Sequence, residues 1–141
     1  MNMKLKPLAA GLALAAVFGV SAAHAAANKV LIGDIDDMSG VYSDVIGPGG
    51  VVAAKMAIAD FGGKVLGKEI EFISADHQNK PDIGASKFRE WADQDGVNMI
   101  LGGSNTGVNI AMSTVALAKK VPFISIGAAG ASLTNLSLIH I

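Results

Sequence analysis

Four short strand-like runs alternate with three segments of helical spacing, and this alternation leaves the chain few folds to choose from. The runs are VLIGDI (30–35), EIEFIS (69–74), VNMIL (97–101) and VPFISI (121–126). VLIGDI is apolar almost throughout, as expected of a strand buried on both faces of a parallel sheet. Val52, Met56 and Ala59 recur at helical spacing before Gly62 and Gly63 close the segment. A second helix opens with Pro81 and Asp82, carries Phe88, Trp91 and Ala92 on one face, and stops at Gly96. Val108, Met112 and Val115 mark a third. The order β-α-β-α-β-α-β with short connections implies right-handed crossovers. It predicts an α/β fold, an open parallel sheet with helices on both faces. Phe88, Trp91 and Met112 are expected in the core, and the lysines and carboxylates mostly in turns or on outer helix faces.

The two ends read differently from this middle. Residues 1–25, MNMKLKPLAAGLALAAVFGVSAAHA, have Lys4 and Lys6, an apolar run over 8–20, and small residues ending Ala23-His24-Ala25. A cationic start, a short apolar middle and an A-x-A end describe a secretory signal peptide. As a helix that run reaches only about 20 Å, against roughly 30 Å of hydrocarbon, so it is too short for an anchor. Cleavage after Ala25 is expected, with export to the periplasm and no stable membrane insertion afterwards. LSLIHI (136–141) is what a common transposase sequencing adapter encodes in one reading frame. These residues, His140 included, are expected to be read-through, leaving 26–135 as an incomplete lobe. The chain contains no cysteine, so no disulfide holds the fold in an oxidising compartment.

Charge and motif searches exclude several functions. With 11 basic and 12 acidic side chains and no Lys/Arg cluster, nucleic acid is not an expected partner. In open α/β sheets, ligands gather outside the carboxyl ends of the strands. Three loops meet there: DDMSGVYSDVIGPGG (36–50), GGSNTG (102–107) and GAAGASLTN (127–135). None contains Lys, Arg or His. Such loops offer backbone amides, small hydroxyls and a helix N-terminus, which suits a carboxylate or another small anion. GGSNTG has the outer glycines of a phosphate loop, but Val108 and Asn109 follow where Lys and Ser/Thr are required. No dinucleotide fingerprint and no G-x-S-x-G elbow is present. His77 beside Asp76 reads as an ordinary solvent-facing loop pair. Asp34, Asp36 and Asp37 lack the spacing of a calcium loop. No catalytic residue, metal site or cofactor is expected, and the chain does not read as an enzyme.

With the loops placed, the segments IGDIDDMSG, GGKVLGKEIEFISADHQNKPDIGASK, GVNMILGGSNTG and KKVPFISIGAAGASLTN fall in a familiar order. From 30 to 135 the chain resembles the first lobe of type I periplasmic solute-binding proteins, the branched-chain amino-acid (leucine) binding group of ABC transporters. The resemblance implies two lobes joined by a hinge, a small carboxylate ligand in the cleft, and permease subunits as partners. It places the carboxylate-binding hydroxyl on Thr106, beside Ser104 and Asn105. Backbone groups for the rest of the head group fall on Gly127 and Ala128, and Tyr42 is the only aromatic of the first loop. Ala129 stands where amino-acid binders usually have a second hydroxyl. That departure leaves two ligand classes open, branched-chain amino acids and aromatic or other organic acids. The same fold also serves as the ectodomain of sensors.

Mass spectrometry of the exported protein tests the leader directly. The mature N-terminus is expected at Ala26, and a membrane-bound product retaining Met1 would contradict the assignment.

Overall fold

The structure, a computed structural model, describes residues 29–135, the last of these by its backbone alone; the leader and the 136–141 tail lie outside the described residues. The elements are β1 (Lys29–Asp36), α1 (Gly47–Asp60), β2 (Lys64–Val65), β3 (Lys68–Asp76), α2 (Pro81–Glu90), β4 (Met99–Gly102), α3 (Thr106–Lys119), β5 (Phe123–Ser125) and α4 (Ser132–Asn135). One π-helical turn, Trp91–Asp95, extends α2 to Gly96. The sheet order is β2-β3-β1-β4-β5. β3, β1, β4 and β5 run parallel, with Asp36 level with Asp76, Ile35 with Gly102, and Gly102 with Ser125. The strands therefore end together, and their following loops leave from one edge.

The predicted α/β architecture is what the chain adopts, with one addition. β2 pairs antiparallel with β3 through Lys64–Glu69 and Val65–Lys68. Its two-residue turn places both Leu66 (φ 51) and Gly67 (φ 76) in the left-handed region, the geometry that matches the twist of a hairpin. Two residues are too few to show a period, so the strand had no pattern to read.

Direction of travel decides which face each helix covers. The step from β1 to β3 runs one way across the sheet, and those from β3 to β4 and β4 to β5 run the other. Right-handed crossovers then put α1 on one face and α2 with α3 on the opposite one. The α2/α3 face holds the core: Leu31, Ile35 and Ile100 from the sheet meet Phe88, Trp91, Val108, Met112 and Val115. Phe88, Trp91 and Met112 are buried there as the sequence implies. The α1 face is thinly covered. Val52 and Met56, whose spacing marks α1, are 57% and 61% exposed and belong to no described core. Under the first turn of α1 lie the side chains of Asp34 and Asp36, both buried. Among the described residues, no helix is long and apolar enough to cross a membrane.

Phe88 is fully buried, and its ring stands 6.1 Å from that of Phe123. Phe88→Ala should cost about 3–5 kcal/mol, since a large ring is lost from a close-packed interior. Denaturant unfolding of the full chain measures it, and a loss under 1 kcal/mol would contradict this account of the core.

Candidate functional site

The site begins where α3 begins. Asn105 is extended (φ −92, ψ 118), and its Oδ1 accepts the Val108 N–H at 2.9 Å, which makes it the N-cap of α3. Its Nδ2 donates to Asn79 Oδ1 in the loop after β3. Both ends of the side chain therefore hold loops, and its second Nδ2 hydrogen has no partner among the described residues. The amides of Thr106 and Gly107, at the first turn, have no partner among the described residues.

Thr106 joins this helix end to the loop after β5. Its Oγ1 accepts the Gly130 N–H at 3.2 Å, which leaves its own hydroxyl proton free to donate. Gly130 packs so closely on Thr106 that a Cβ there would fall 2.8 Å from Oγ1. Gly127 lies against Ser104, whose Cα would be 3.6 Å from a Cβ at that glycine, and against Ile46 from the end of the first loop. The amides of Gly127 and Ala128 likewise have no partner among the described residues. Ala128 is half-buried and Ala129 exposed. Thus Ser104, Asn105, Thr106 and the loop from Gly127 to Gly130 come together as expected. The Ser104 hydroxyl is buried without a partner. The Tyr42 hydroxyl makes no hydrogen bond to this group among the described residues; only the Tyr42 backbone is tied down, by Asp37.

Beneath the loops lies a layer of buried polar side chains, and sequence reasoning expected most of the chain's carboxylates, and His77, at the surface. Asp34, Asp36, Asp37 and His77 are all buried. Asp36, Asp37 and, beside them, Asp76 each organise a backbone. Asp37 Oδ1 accepts the Gly40 N–H at 2.7 Å and its Oδ2 accepts the Tyr42 N–H at 2.9 Å, folding the first loop around it. Asp76 accepts from the Ser39 hydroxyl at 2.5 Å and from the amides of Met38 and Gln78. Burial pushes Asp76 up, but those donors outweigh it and hold its carboxyl below the usual range. Asp36 Oδ1 accepts the Asp37 N–H at 2.7 Å. Asp36 is nevertheless raised, because its burial exceeds the help from the Asp37 and Ser104 amides. No described group of carboxylates or histidines has the arrangement of a metal site.

His77 corrects the sequence reading most clearly. Its backbone N–H donates to the Asp36 carbonyl at 2.9 Å, and its Nδ1 accepts the Asn79 N–H at 3.0 Å. Nδ1 is thus unprotonated and the proton sits on Nε2. Burial lowers its pKa against the pull of Asp36, Asp37 and Asp76, keeping the ring neutral. Asn109 was not recognised at all. It is fully buried on α3, and its Nδ2 donates to the carbonyls of Gly103 at 2.6 Å and Asn105 at 2.7 Å. A polar residue one turn into an otherwise apolar helix face was the available signal.

Comparison with known proteins follows these lines. Residues 29–137 match the family described as periplasmic binding protein. The fold superposes on a periplasmic binding protein from Burkholderia mallei with a TM-score of 0.75 and 55% identity, over 77% of this chain and 29% of that one. A branched chain amino acid ABC transporter periplasmic ligand-binding protein from Burkholderia xenovorans is 40% identical, with a TM-score of 0.71 over 74% of this chain and 28% of that one. A solute binding protein of an ABC transporter from Rhodopseudomonas palustris, in complex with 3,4-dihydroxybenzoic acid, is 30% identical; its TM-score is 0.68, over 77% of this chain and 30% of that one. The chain spans less than a third of the length of each of these proteins. No curated protein sequence matches it.

The buried carboxylates also set a pH dependence. Burial first, then the neighbouring charge of Asp36, raise Asp34 from 3.8 to about 7. The folded state therefore holds a proton that the unfolded chain releases. The stability tied to that proton is complete below pH 3.8 and is lost as pH rises towards 7. Asp34→Asn removes the titration, so its stability gain over wild type should grow by on the order of 2 kcal/mol between about pH 5 and pH 8. Unfolding free energies of both proteins at the two pH values test this. An unchanged difference would show that Asp34 does not carry the proton.

Proposed function

The chain belongs to the periplasmic binding protein family, and from that premise we propose that it is the substrate-binding component of an ABC importer that captures a small carboxylate. The observation that carries this reading is that unpaired donors from two adjoining loops lie together at the open end of the sheet. The amides of Thr106 and Gly107 stand at the positive end of a 14-residue helix, the Thr106 hydroxyl is free to donate, and the amides of Gly127 and Ala128 lie on the loop packed against it. Helix N-termini of this kind attract anions without a basic side chain, and none of the three loops has one. Release of the ligand to permease subunits follows from the family, and export to the periplasm from the 1–25 leader.

A branched-chain amino acid and an aromatic acid share the carboxylate that these donors fit. Ala129 favours the second class, because it removes a hydroxyl from the position that amino-acid binders use for the head group. A relative that holds 3,4-dihydroxybenzoic acid supports the same direction. Titrating the full-length protein with leucine and with 3,4-dihydroxybenzoate separates the two classes.

Hydrogen bonds to charged groups contribute about 1.5–3 kcal/mol each. Thr106→Ala is therefore expected to weaken the bound acid by roughly ten- to a hundred-fold in calorimetry. The fold should be retained, since Thr106 is only half-buried at the open end of the sheet. Equal affinity in the mutant would remove Thr106 from the site.

A further inference from the structure

Two residues before Thr106, one peptide unit is gripped from both sides by buried side chains that no ligand can reach. Its carbonyl, that of Gly103, accepts a 2.6 Å hydrogen bond from Asn109 Nδ2. Its amide, that of Ser104, lies beside the Asp36 carboxylate and partly offsets the burial of that charge, while Asp36 Oδ2 makes no hydrogen bond among the described residues. The Asp36 carboxylate also lies directly on the Gly103 Cα, so that any Cβ at this position would overlap its atoms. Both gripping residues are fully buried. Asp36 is itself fixed by the Asp37 N–H at 2.7 Å and lies against Gly50 in the first turn of α1, with Oδ2 3.7 Å from a Cβ built there.

We infer that Asp36 and Asn109 are positioning residues that clamp the Gly103–Ser104 peptide and so set the direction of the donors at the start of α3. The inference rests on the carboxylate reading of the site but makes a separate claim about how the site is kept in shape. A peptide following glycine rotates readily, because glycine has few forbidden backbone conformations. Rotation of this one would break the Asn109 bond and turn the Gly103 carbonyl away from its place. A carbonyl oxygen turned towards a bound carboxylate would repel it, and the Asn105 cap and Thr106 follow immediately in the chain. The clamp prevents this from beneath the site, without contributing a contact to the ligand.

The clamp needs a side-chain acceptor at Asp36 and a donor at Asn109 Nδ2, and the substitutions follow from that. Asp36→Asn keeps the acceptor, whereas Asp36→Ala and Asn109→Ala each remove one jaw. In the full-length protein, calorimetry with 3,4-dihydroxybenzoate and with leucine reports affinity and the fraction of competent sites separately. For the acid that wild type binds, Asp36→Ala and Asn109→Ala are expected to weaken affinity at least tenfold with the site fraction unchanged. Asp36→Asn should stay within about threefold of wild type. A merely structural role would lower the fraction of competent sites and leave the affinity of the remainder intact, which would overturn the inference. So would an Asp36→Asn loss as large as that of Asp36→Ala.

Amide hydrogen exchange without ligand provides a readout independent of the carboxylate reading. The Ser104 amide should exchange at least tenfold faster in Asp36→Ala than in wild type, while amides in β1 and β4 keep their protection. Unchanged Ser104 exchange would overturn the clamp even if both acids failed to bind, whereas failure of Thr106→Ala to weaken binding would count against the site and not the clamp.

Discussion

Removing carboxylates from water at the end of β1 is the constraint around which the loops of this lobe are folded. An ionised carboxylate in a protein interior costs several kcal/mol unless other dipoles replace its water. Asp37 meets that requirement with the amides of Gly40 and Tyr42, and Asp36 meets part of it with the Asp37 amide. Asp34 does so by keeping its proton to about pH 7. The loop backbones are the solvation shells of these groups, so the position of the loops follows from the position of the strand that carries the aspartates. That strand is central in the sheet, paired on both sides. The short, glycine-rich loops proposed to hold the ligand thereby gain a rigid base.

The same arrangement explains why the proposed carboxylate site would need no cation. Neutral amides and a hydroxyl aimed at one point can hold a carboxylate, since each donor bonded to charge is worth more than one bonded to a neutral group. A buried arginine close to Asp34 and Asp36 would instead pair with them and be drawn away from the ligand. His77 is kept neutral in the same layer and adds no positive charge under the site. Its role here is to hold Asn79, which in turn holds the N-cap Asn105.

Much of this was legible in the residues, and the illegible part has a common cause. Strand runs, helix spacing and breakers located β1, β3, β4, β5 and the three long helices, because each is a local pattern. Phe88, Trp91 and Met112 fell in the core because helix faces that carry large apolar groups have few other places to go. The turn from the glycines of GGSNTG into the third helix was legible as a local pattern too, whereas the N-cap at Asn105 came from the structure. Asp36, Asp37 and His77 were misread as solvated because their burial comes from loops closing over them, which no local pattern records. One clue was present. Asp34 and Asp36 share the strand face of Ile32, and a central parallel strand is covered on both faces. Asn109 was missed for a different reason, since its partners are carbonyls four and six residues back whose direction depends on how the loop before α3 turns.

The central claim is that neutral donors at the start of α3 recognise the negative charge of a carboxylate. Side-by-side calorimetric titration of the full-length protein with an acid that it binds, 3,4-dihydroxybenzoate or leucine, and with the primary amide of that acid, tests it most directly. The amide has nearly the same shape and no charge at that group. The account predicts that it binds at least tenfold more weakly than the acid, whereas equal affinity would contradict it.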